Sequence, residues 1–270
     1  MRIRVEHRTT YIYDEPPSSI VQILRLTPRN HEGLQVRSWR IFLDHDAHLV
    51  PGEDAFGNTT HALSLNRALD DLTISVEGEV ETHDTGGVLT GATERFPPGL
   101  YLRETPLTQA DEAIRTFARG VAGKREPLDS LHALTASLHD GLAVDNETPA
   151  SDAAKAFAAK TVCRRDMNHL FIAAARSLGI PARYISGYVL NEDKAQQQSA
   201  HAWAEAHVAG LGWVGFDAVN ALSPTEAYIR VAMGLDYLGA APVRGSRSGG
   251  AAEHLQVNLT VGQARRQQQN

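Results

Sequence analysis

The stretch from residue 165 to residue 217 constrains the fold more than any other part of the chain. It opens with a helical apolar stripe, whose residues recur at intervals of three and four: Met167, Leu170, Phe171, Ala174 and Leu178. Gly179 and Pro181 predict where this helix ends. Three strand-like segments then follow in quick succession, "ARYISGYVL", "SAHAWAEAHVAG" and "GWVGFDAV". This order predicts helices packed on an antiparallel sheet.

The rest of the chain divides into a strand-rich part and a helix-rich part. Residues 1–85 alternate between apolar and polar and are rich in Ile, Val, Thr and Tyr, which predicts an N-terminal antiparallel β module. Residues 86–105 carry Gly-Gly and Pro-Pro pairs and are predicted to be a linker. Residues 106–245 hold the helical patterns and the strands above as a core. Residues 246–270 are predicted to form a last strand, "HLQVNLTV", and a disordered polar tail, "GQARRQQQN". The predicted fold class is α+β.

Charge and composition argue against several classes of partner. The 270 residues carry a formal net charge of -6 and no basic cluster, so we expect neither a nucleic-acid nor a membrane partner. No apolar run approaches the roughly 20 residues of a membrane-spanning helix. The N-terminal "MRIRVEHRTTYIYDE" lacks the apolar segment of a signal peptide. The expected location is the cytoplasm, where a free thiol stays reduced.

Cys163 is the only cysteine of the chain, which excludes an internal disulfide and a multi-cysteine metal site. It stands just ahead of the predicted helix, where the helix dipole and the neighbouring Arg164 and Arg165 favour an anion. This setting predicts a lowered thiol pKa and a nucleophile, with the N–H groups of the helix start as an oxyanion hole. The alternative is a small buried side chain with a packing role.

A base for this thiol is predicted on the strands that follow. If the connection around Gly210 is a three-residue loop, His201 and Asp217 lie diagonally on one face of two paired strands. A loop with an even number of residues would put them on opposite faces. The sequence has no phosphate-binding glycine loop and no clustered metal-ligand motif, so we expect neither a cofactor nor a metal.

Several segments resemble the bacterial transglutaminase-like family. "HLFIAAARSLGIPARYISGYV", "HAWAEAHVAGLGWVGFDAVNALSPT" and the downstream "VAMGLDYLGAAPVRG" are similar to segments of the family's core. The N-terminal "HRTTYIYDEPPSSIVQILRLTPR" and "DAFGN" resemble the β module that precedes the core in many bacterial members. The resemblance covers nearly the whole chain. It implies a papain-like transglutaminase core behind an N-terminal β module.

This resemblance also implies a reaction, cysteine acyl transfer on peptide or side-chain amides. Cys163 would be the nucleophile, His201 the base and acid, and Asp217 the residue that orients the imidazole. Hydrolysis by a protease or amidase is favoured over cross-linking to a lysine. The expected partner is a protein or peptide substrate. The expected substrate contacts are Arg164, Trp203 and Tyr237.

The match departs from the family at the nucleophile. The family's cysteine stands five residues before the histidine that leads the core helix, here His169, and that count ends on Arg164 instead of Cys163. Asp166 stays in register and is expected to brace the helix start, with a structural role for His169. One helical position is about 100° of rotation, so a rigid helix would aim Cys163 away from the base.

Two hypotheses follow from this shift. Either the extra residue is absorbed between Cys163 and Asp166 and the site is active, or the chain is a degenerate member that acts as a binding or scaffolding protein.

Overall fold

The elements follow the predicted order of strands, helices and strands. The computed structural model describes residues 1–191, 196–197 and 199–264. The helices are α1 (Glu112–Ala122), α2 (Pro127–Gly141), α3 (Ala153–Ala159), α4 (Arg164–Ser177) and α5 (Tyr237–Ala240). The strands are β1 (Arg2–Tyr13), β2 (Ser19–Thr27), β3 (Leu34–Leu43), β4 (Leu49–Glu53), β5 (Thr59–Leu65), β6 (Asp71–Thr82), β7 (Val88–Leu89), β8 (Ala143–Val144), β9 (Thr161–Val162), β10 (Ala182–Val189), β11 (Gln196–Gln197), β12 (His201–Val208), β13 (Gly212–Phe216), β14 (Tyr228–Gly234), β15 (Val243–Ser248) and β16 (Glu253–Gln263). The fold is therefore α+β, as predicted.

Helix α4 lies in the middle of the core. Its side chains from Asp166 to Arg176 are all buried, including a run of three alanines at 173 to 175. Small side chains allow the helix to approach the sheet closely, and α4 packs on β10 and β12 as well as on the other long helices. Gly179 has a φ of 78° and ends the helix. Helix α4, which begins directly after Cys163, is therefore fixed by contacts with both the sheet and the neighbouring helices.

The core sheet is antiparallel, with the strand order β14-β10-β12-β13-β7. Strands β12 and β13 pair with Val208 opposite Gly212, so residues 209–211 form a loop of three residues. Gly210 and Gly212 have φ values of 84° and 87°, a backbone conformation that favours glycine. This is the loop length that the predicted His201–Asp217 diagonal requires.

The β module is built from both ends of the chain. One of its sheets has the order β11-β16-β1-β6-β3, and the other has the order β15-β2-β5-β4. Strand β16 pairs with β1 along eleven residues, and β15 pairs with β2. The predicted boundary at residue 245 is therefore wrong, because it falls inside Val243–Ser248, a strand of the module. The predicted last strand is confirmed as β16.

Residues 86–105 form part of the core, which corrects their prediction as a linker. Strand β7 extends the core sheet beside β13. A 3-10 helix follows over Pro98–Leu102, and in it Tyr101 is fully buried with its ring edge-on to Trp213, 4.9 Å between centroids. Glu94 forms an ion pair with the buried Arg183. Turn-forming glycines and prolines misled the prediction because they do not report what the residues between them bury.

No helix among the described residues is both long enough and apolar enough to cross a bilayer. Most of the predicted disordered tail, residues 265–270, lies outside the described residues, whereas its first residues belong to β16.

Candidate active site

His201 and Asp217 form a buried hydrogen-bonded pair at the start of β12 and the end of β13. His201 Nε2 lies 2.6 Å from Asp217 Oδ2, and the carboxylate is fully buried. The two residues come together on the hairpin with the three-residue loop, two residues off the directly paired positions. The predicted diagonal contact is confirmed.

The Asp217 carboxylate accepts hydrogen bonds from several further donors. Oδ2 accepts from the Tyr228 hydroxyl at 2.7 Å and from Asn220 Nδ2 at 2.8 Å, and Oδ1 accepts from the backbone N–H groups of Val219 and Asn220. Burial alone would raise the pKa of Asp217, but the bonds from His201, Tyr228 and Asn220 outweigh it and lower the pKa below its ordinary value. The group is therefore a carboxylate that fixes the imidazole.

Trp203 lies behind the imidazole and is 2% exposed. Its ring stacks on His201 with 6.3 Å between centroids and meets Tyr228 edge-on at 5.3 Å. It belongs to a small apolar cluster with Ile185 and Met233. Trp203, predicted to contact substrate, packs under the site and is not among the residues that line the cavity described below. The sequence places Trp203 on the same strand face as His201. This pattern does not distinguish an indole that faces the cavity from one that packs in the interior beneath the imidazole.

Cys163 is the N-cap residue of α4 and has extended backbone angles, φ -77° and ψ 160°. Its carbonyl accepts from the N–H groups of both Asp166 and Met167, so the helix starts with a tight turn. The thiol is partly buried, and burial is the largest influence on its pKa, which it raises. The Asp166 carboxylate raises it further, whereas the Asp166 N–H and Arg165 lower it. The prediction of a lowered thiol pKa is therefore wrong.

Asp166 and His169 fix the start of α4 from inside. Asp166 Oδ2 accepts from the Ser151 N–H at 2.7 Å, and the residue is 1% exposed. His169 Nε2 accepts from the Tyr237 N–H at 3.1 Å, so the ring hydrogen sits on Nδ1, which lies 3.7 Å from Asp166 Oδ1. The predicted bracing role of Asp166 and structural role of His169 fit these contacts.

A large cavity of about 1480 Å³ lies between the core and the β module. Cys163, Arg164, His201 and Tyr237 all line it, so the structure brings the predicted nucleophile, base and two of the three predicted substrate contacts to one place. The module contributes residues from two neighbouring strands, β1 and β16: His7, Thr9, Tyr11, Leu255 and Val257. The cleft therefore has one wall from each part of the chain.

The one-residue departure from the family is located at the N-cap. Asp166 and His169 hold their buried positions in α4, and the helix begins at Arg164. Because Cys163 is extended, its side chain does not follow the helical rotation that governs the residues after it. Cys163 and Arg164 both line the cavity as a result. The shift therefore does not remove the thiol from the site.

Three further residues at the site escaped the sequence prediction. Asn220 and Tyr228 bond the Asp217 carboxylate, and both lie shortly after it in the chain. His7 reaches the cavity from β1 and bonds the Tyr188 hydroxyl and Thr9 Oγ1, both at 3.1 Å. Burial lowers the pKa of His7 to about 4, so this ring is neutral at physiological pH. The segment "FDAVNALSPTEAY" was the available signal for Asn220 and Tyr228, whereas no local pattern pointed to His7.

Comparisons with known proteins agree with this architecture. The bacterial transglutaminase-like N-terminal region matches residues 3–81, and the transglutaminase-like superfamily matches residues 115–218. An uncharacterized protein of Mycobacterium leprae is 28% identical over 278 residues, which cover 96% of this chain and 98% of that protein. An uncharacterized protein of Mycobacterium bovis is 24% identical over 272 residues, which cover 90% of this chain and 87% of that protein.

Among solved structures, a candidate cysteine protease from Cytophaga hutchinsonii has the same fold, with a TM-score of 0.76 at 19% identity. The superposition covers 97% of this chain and 98% of that one, so it includes the β module as well as the papain-like core. Together, the two family matches span more than half of the chain. This chain therefore belongs to the transglutaminase-like superfamily and carries the N-terminal region of its bacterial members.

Proposed function

We propose that this chain is a cysteine acyl transferase that acts on peptide or side-chain amides, with Cys163 as nucleophile, His201 as base and acid, and Asp217 as orienting residue. The observation that carries the proposal is the buried His201–Asp217 pair beside a cavity that Cys163 also lines. A thiol, an imidazole and a carboxylate that fixes the imidazole are the parts that nucleophilic acyl transfer requires.

The contacts of His201 decide which ring nitrogen would take the proton. Nε2 donates to Asp217, so in the neutral ring Nδ1 carries the lone pair. In the proposed reaction, Nδ1 removes the thiol proton as the Cys163 sulfur attacks the amide carbonyl. The Asp217 carboxylate, 2.6 Å from Nε2, stabilises the imidazolium that forms. A raised thiol pKa makes this proton transfer the step on which activity depends.

The attack produces a tetrahedral oxyanion at the start of α4. Because Cys163 is the N-cap, the residues that follow it carry N–H groups without partners in the helix, which can donate to that oxygen. The carbon–nitrogen bond then breaks, and the imidazolium returns its proton to the leaving amine. A thioester on Cys163 remains. Water, deprotonated by the same imidazole, cleaves the thioester to release the acid and restore the thiol.

We favour hydrolysis over cross-linking because water needs no binding site of its own. Cross-linking to a lysine requires a second site that holds the amine beside the thioester. The proposed partner is accordingly a single protein or peptide substrate, and the proposed location is the cytoplasm, where the thiol stays reduced.

The state of the thiol favours a second candidate function, peptide binding without catalysis. Burial and the Asp166 carboxylate raise the pKa of Cys163, and Arg164 occupies the position at which the family has its nucleophile. A protein of this kind would use the same cavity to hold a peptide and would leave it intact.

A peptide library tests the proposal with many sequences at once, so no single substrate has to be chosen. The protein and its Cys163→Ala variant are each incubated with a tryptic digest of a bacterial proteome, and the products are read by mass spectrometry. Hydrolysis of backbone amides would give new termini, and hydrolysis of side-chain amides would replace NH₂ by OH. Cross-linking would give conjugates that have lost ammonia.

We expect hydrolysis products with the wild-type protein and none with Cys163→Ala. Identical product spectra for both proteins over the whole pH range of stability would contradict catalysis. Peptides that both proteins then retain intact in a pull-down would support the binding function.

A further inference from the structure

The chain is acidic overall, but its cavity carries two cations beside the nucleophile. The formal net charge is -6, whereas Arg164 and Arg165 directly follow Cys163 and line the cavity with it. Glu147 is the one carboxylate among the described lining residues. The charge of the cavity wall next to the thiol is therefore positive, whereas the net charge of the protein is negative.

The two arginines occupy positions that do not suit cations for helix stability. They are the first two residues of α4, where the helix dipole and the unpaired N–H groups favour negative charge. Arg164 is exposed and has no ion-pair partner in the part of the chain that the structure describes. An anion from outside the chain would compensate for both unfavourable features.

Arg165 is held in an orientation that suits recognition of a carboxylate. Its guanidinium carbon lies 4.5 Å from the centroid of the Tyr237 ring, and its Nε lies 3.8 Å from Asp166 Oδ1. A guanidinium above an aromatic ring can still donate hydrogen bonds from its N–H groups. The side chain is 34% exposed and lines the cavity.

We propose that Arg164 and Arg165 bind a carboxylate of the acyl donor, so that the preferred substrates are peptides with an acidic group close to the scissile amide. This substrate class rests on the proposed function for the identity of the nucleophile. Arginine pairs carboxylates in a bidentate manner, and both residues line the same cavity as Cys163. The binding energy is then provided directly beside the reacting thiol.

Two alkylating reagents measure this preference at Cys163 itself. Iodoacetate and iodoacetamide react in the same way, because the sulfur displaces iodide and forms a thioether, but only iodoacetate carries a carboxylate. Cys163 is the only cysteine, so intact mass reports on this residue alone. The readout is the rate with iodoacetate divided by the rate with iodoacetamide, measured at low salt, which cancels changes in general reactivity.

We expect Arg164→Gln/Arg165→Gln to lower this ratio about tenfold, since hydrogen bonds to charged groups are the strong ones. Arg164→Lys, which keeps the charge without the fork, should give an intermediate ratio. The matched control is Arg115→Gln/Arg119→Gln, which removes the same charge from α1 outside the cavity and should keep the wild-type ratio. Raising the ionic strength to about 1 M should lower the wild-type ratio.

A ratio that is unchanged in the cavity variant, or that falls equally in the α1 control, would overturn the proposal. The same measurements distinguish a failure of the anion site from a failure of the proposed catalytic function. Iodoacetamide labelling that ignores His201, with a ratio that still falls in Arg164→Gln/Arg165→Gln, would support the anion site and contradict catalysis. Labelling that depends on His201 with an unchanged ratio would leave catalysis standing and remove the acidic substrate.

Discussion

The two halves of the candidate site differ in how their reacting groups are held and in what their surroundings do to them. The base half consists of His201 and Asp217 at the two ends of the β12–β13 hairpin, with Asn220 shortly after it and Tyr228 at the start of β14, and its imidazole and carboxylate lie 2.6 Å apart. The nucleophile half consists of Cys163 and Asp166 at the start of α4, where the thiol pKa is raised. Buried hydrogen bonds hold the base in place, whereas the surroundings of the thiol keep it protonated.

This difference indicates where control of the reaction lies. A preassembled base can activate a protonated thiol as it attacks, so the nucleophile need not be ionised in advance. We therefore expect large effects from changes in the base half and small effects from changes around the thiol, apart from removal of the sulfur itself.

The largest expected effect comes from the ion pairs that brace the base half. Glu205, on the same strand as His201, bonds Arg183 and Arg230 at 2.7 Å each and is almost fully buried. Glu205→Gln should reduce the free energy of unfolding by about 3–5 kcal/mol, because Arg230 loses the carboxylate that it pairs with and the buried Arg183 keeps only the partly exposed Glu94. Denaturant unfolding followed by tryptophan fluorescence measures it. Glu94→Gln, whose partner is also Arg183 but whose side chain is 29% exposed, is the control, with an expected loss of about 1 kcal/mol or less.

The same carboxylate predicts a pH dependence. Burial would raise the pKa of Glu205, but Arg230 and Arg183 outweigh it and hold the pKa at about 2, below the ordinary 4.5. A pKa lowered by folding gives stability that is fully present above pH 4.5 and is lost as the pH falls toward 2. The free energy of unfolding should therefore fall less steeply across this window in Glu205→Gln. Parallel curves for both proteins would contradict this assignment.

The next effect comes from the orienting carboxylate. Asp217→Asn keeps the shape but can offer His201 an amide N–H in place of an acceptor, so the ring tautomer is no longer fixed. We expect alkylation of Cys163 by iodoacetamide at about pH 6.5 to slow about 100-fold. A loss of less than about threefold would show that the base half does not act on the thiol.

A smaller effect is expected from Tyr228→Phe, which removes one donor to Asp217 and keeps the ring against Trp203. A hydrogen bond to a charged group contributes about 1.5–3 kcal/mol, and part of that loss should appear as a roughly tenfold slower alkylation at neutral pH. Tyr188→Phe, which removes a hydroxyl bonded to His7 instead, is the matched control and should change the rate little.

The smallest effect tests the nucleophile half. The Asp166 carboxylate raises the pKa of Cys163, so Asp166→Asn should lower that pKa and speed alkylation about threefold at pH 8 in a His201→Ala background. The amide oxygen can still accept from the Ser151 N–H, which preserves the helix start. Ser151→Ala keeps the charge and should give no acceleration. A slower reaction in Asp166→Asn would contradict the sign of this interaction.

Local patterns predicted much of the fold and half of the site. The apolar stripe predicted α4, and strand alternation with a three-residue loop predicted the contact between His201 and Asp217. Both depend on residues near each other in the chain, where periodicity and turn chemistry carry the information. The pairing of β16 with β1 joins the two ends of the chain, and no local pattern specifies it.

Other features depend on burial, which sequence patterns do not report. Helix position and neighbouring arginines predicted a lowered pKa for Cys163, but desolvation reverses the direction. Trp203 was expected in the cleft and packs behind His201 instead. Residues 86–105 have the turn formers of a linker, yet they bury Tyr101 completely. In each case the three-dimensional surroundings outweigh the local signal.

The central claim is that His201 activates a protonated Cys163, and the pH dependence of iodoacetamide alkylation in wild type and His201→Ala tests it most directly. We expect His201→Ala to react about 100-fold more slowly at pH 6.5, where the thiol needs a base. The two rates should approach each other as the pH rises toward about 10, because a growing fraction of thiolate reacts without help from a base. Convergence also shows that the variant keeps the thiol accessible. Equal rates for both proteins at every pH would contradict this claim and indicate that Cys163 lines a binding cleft without a catalytic role.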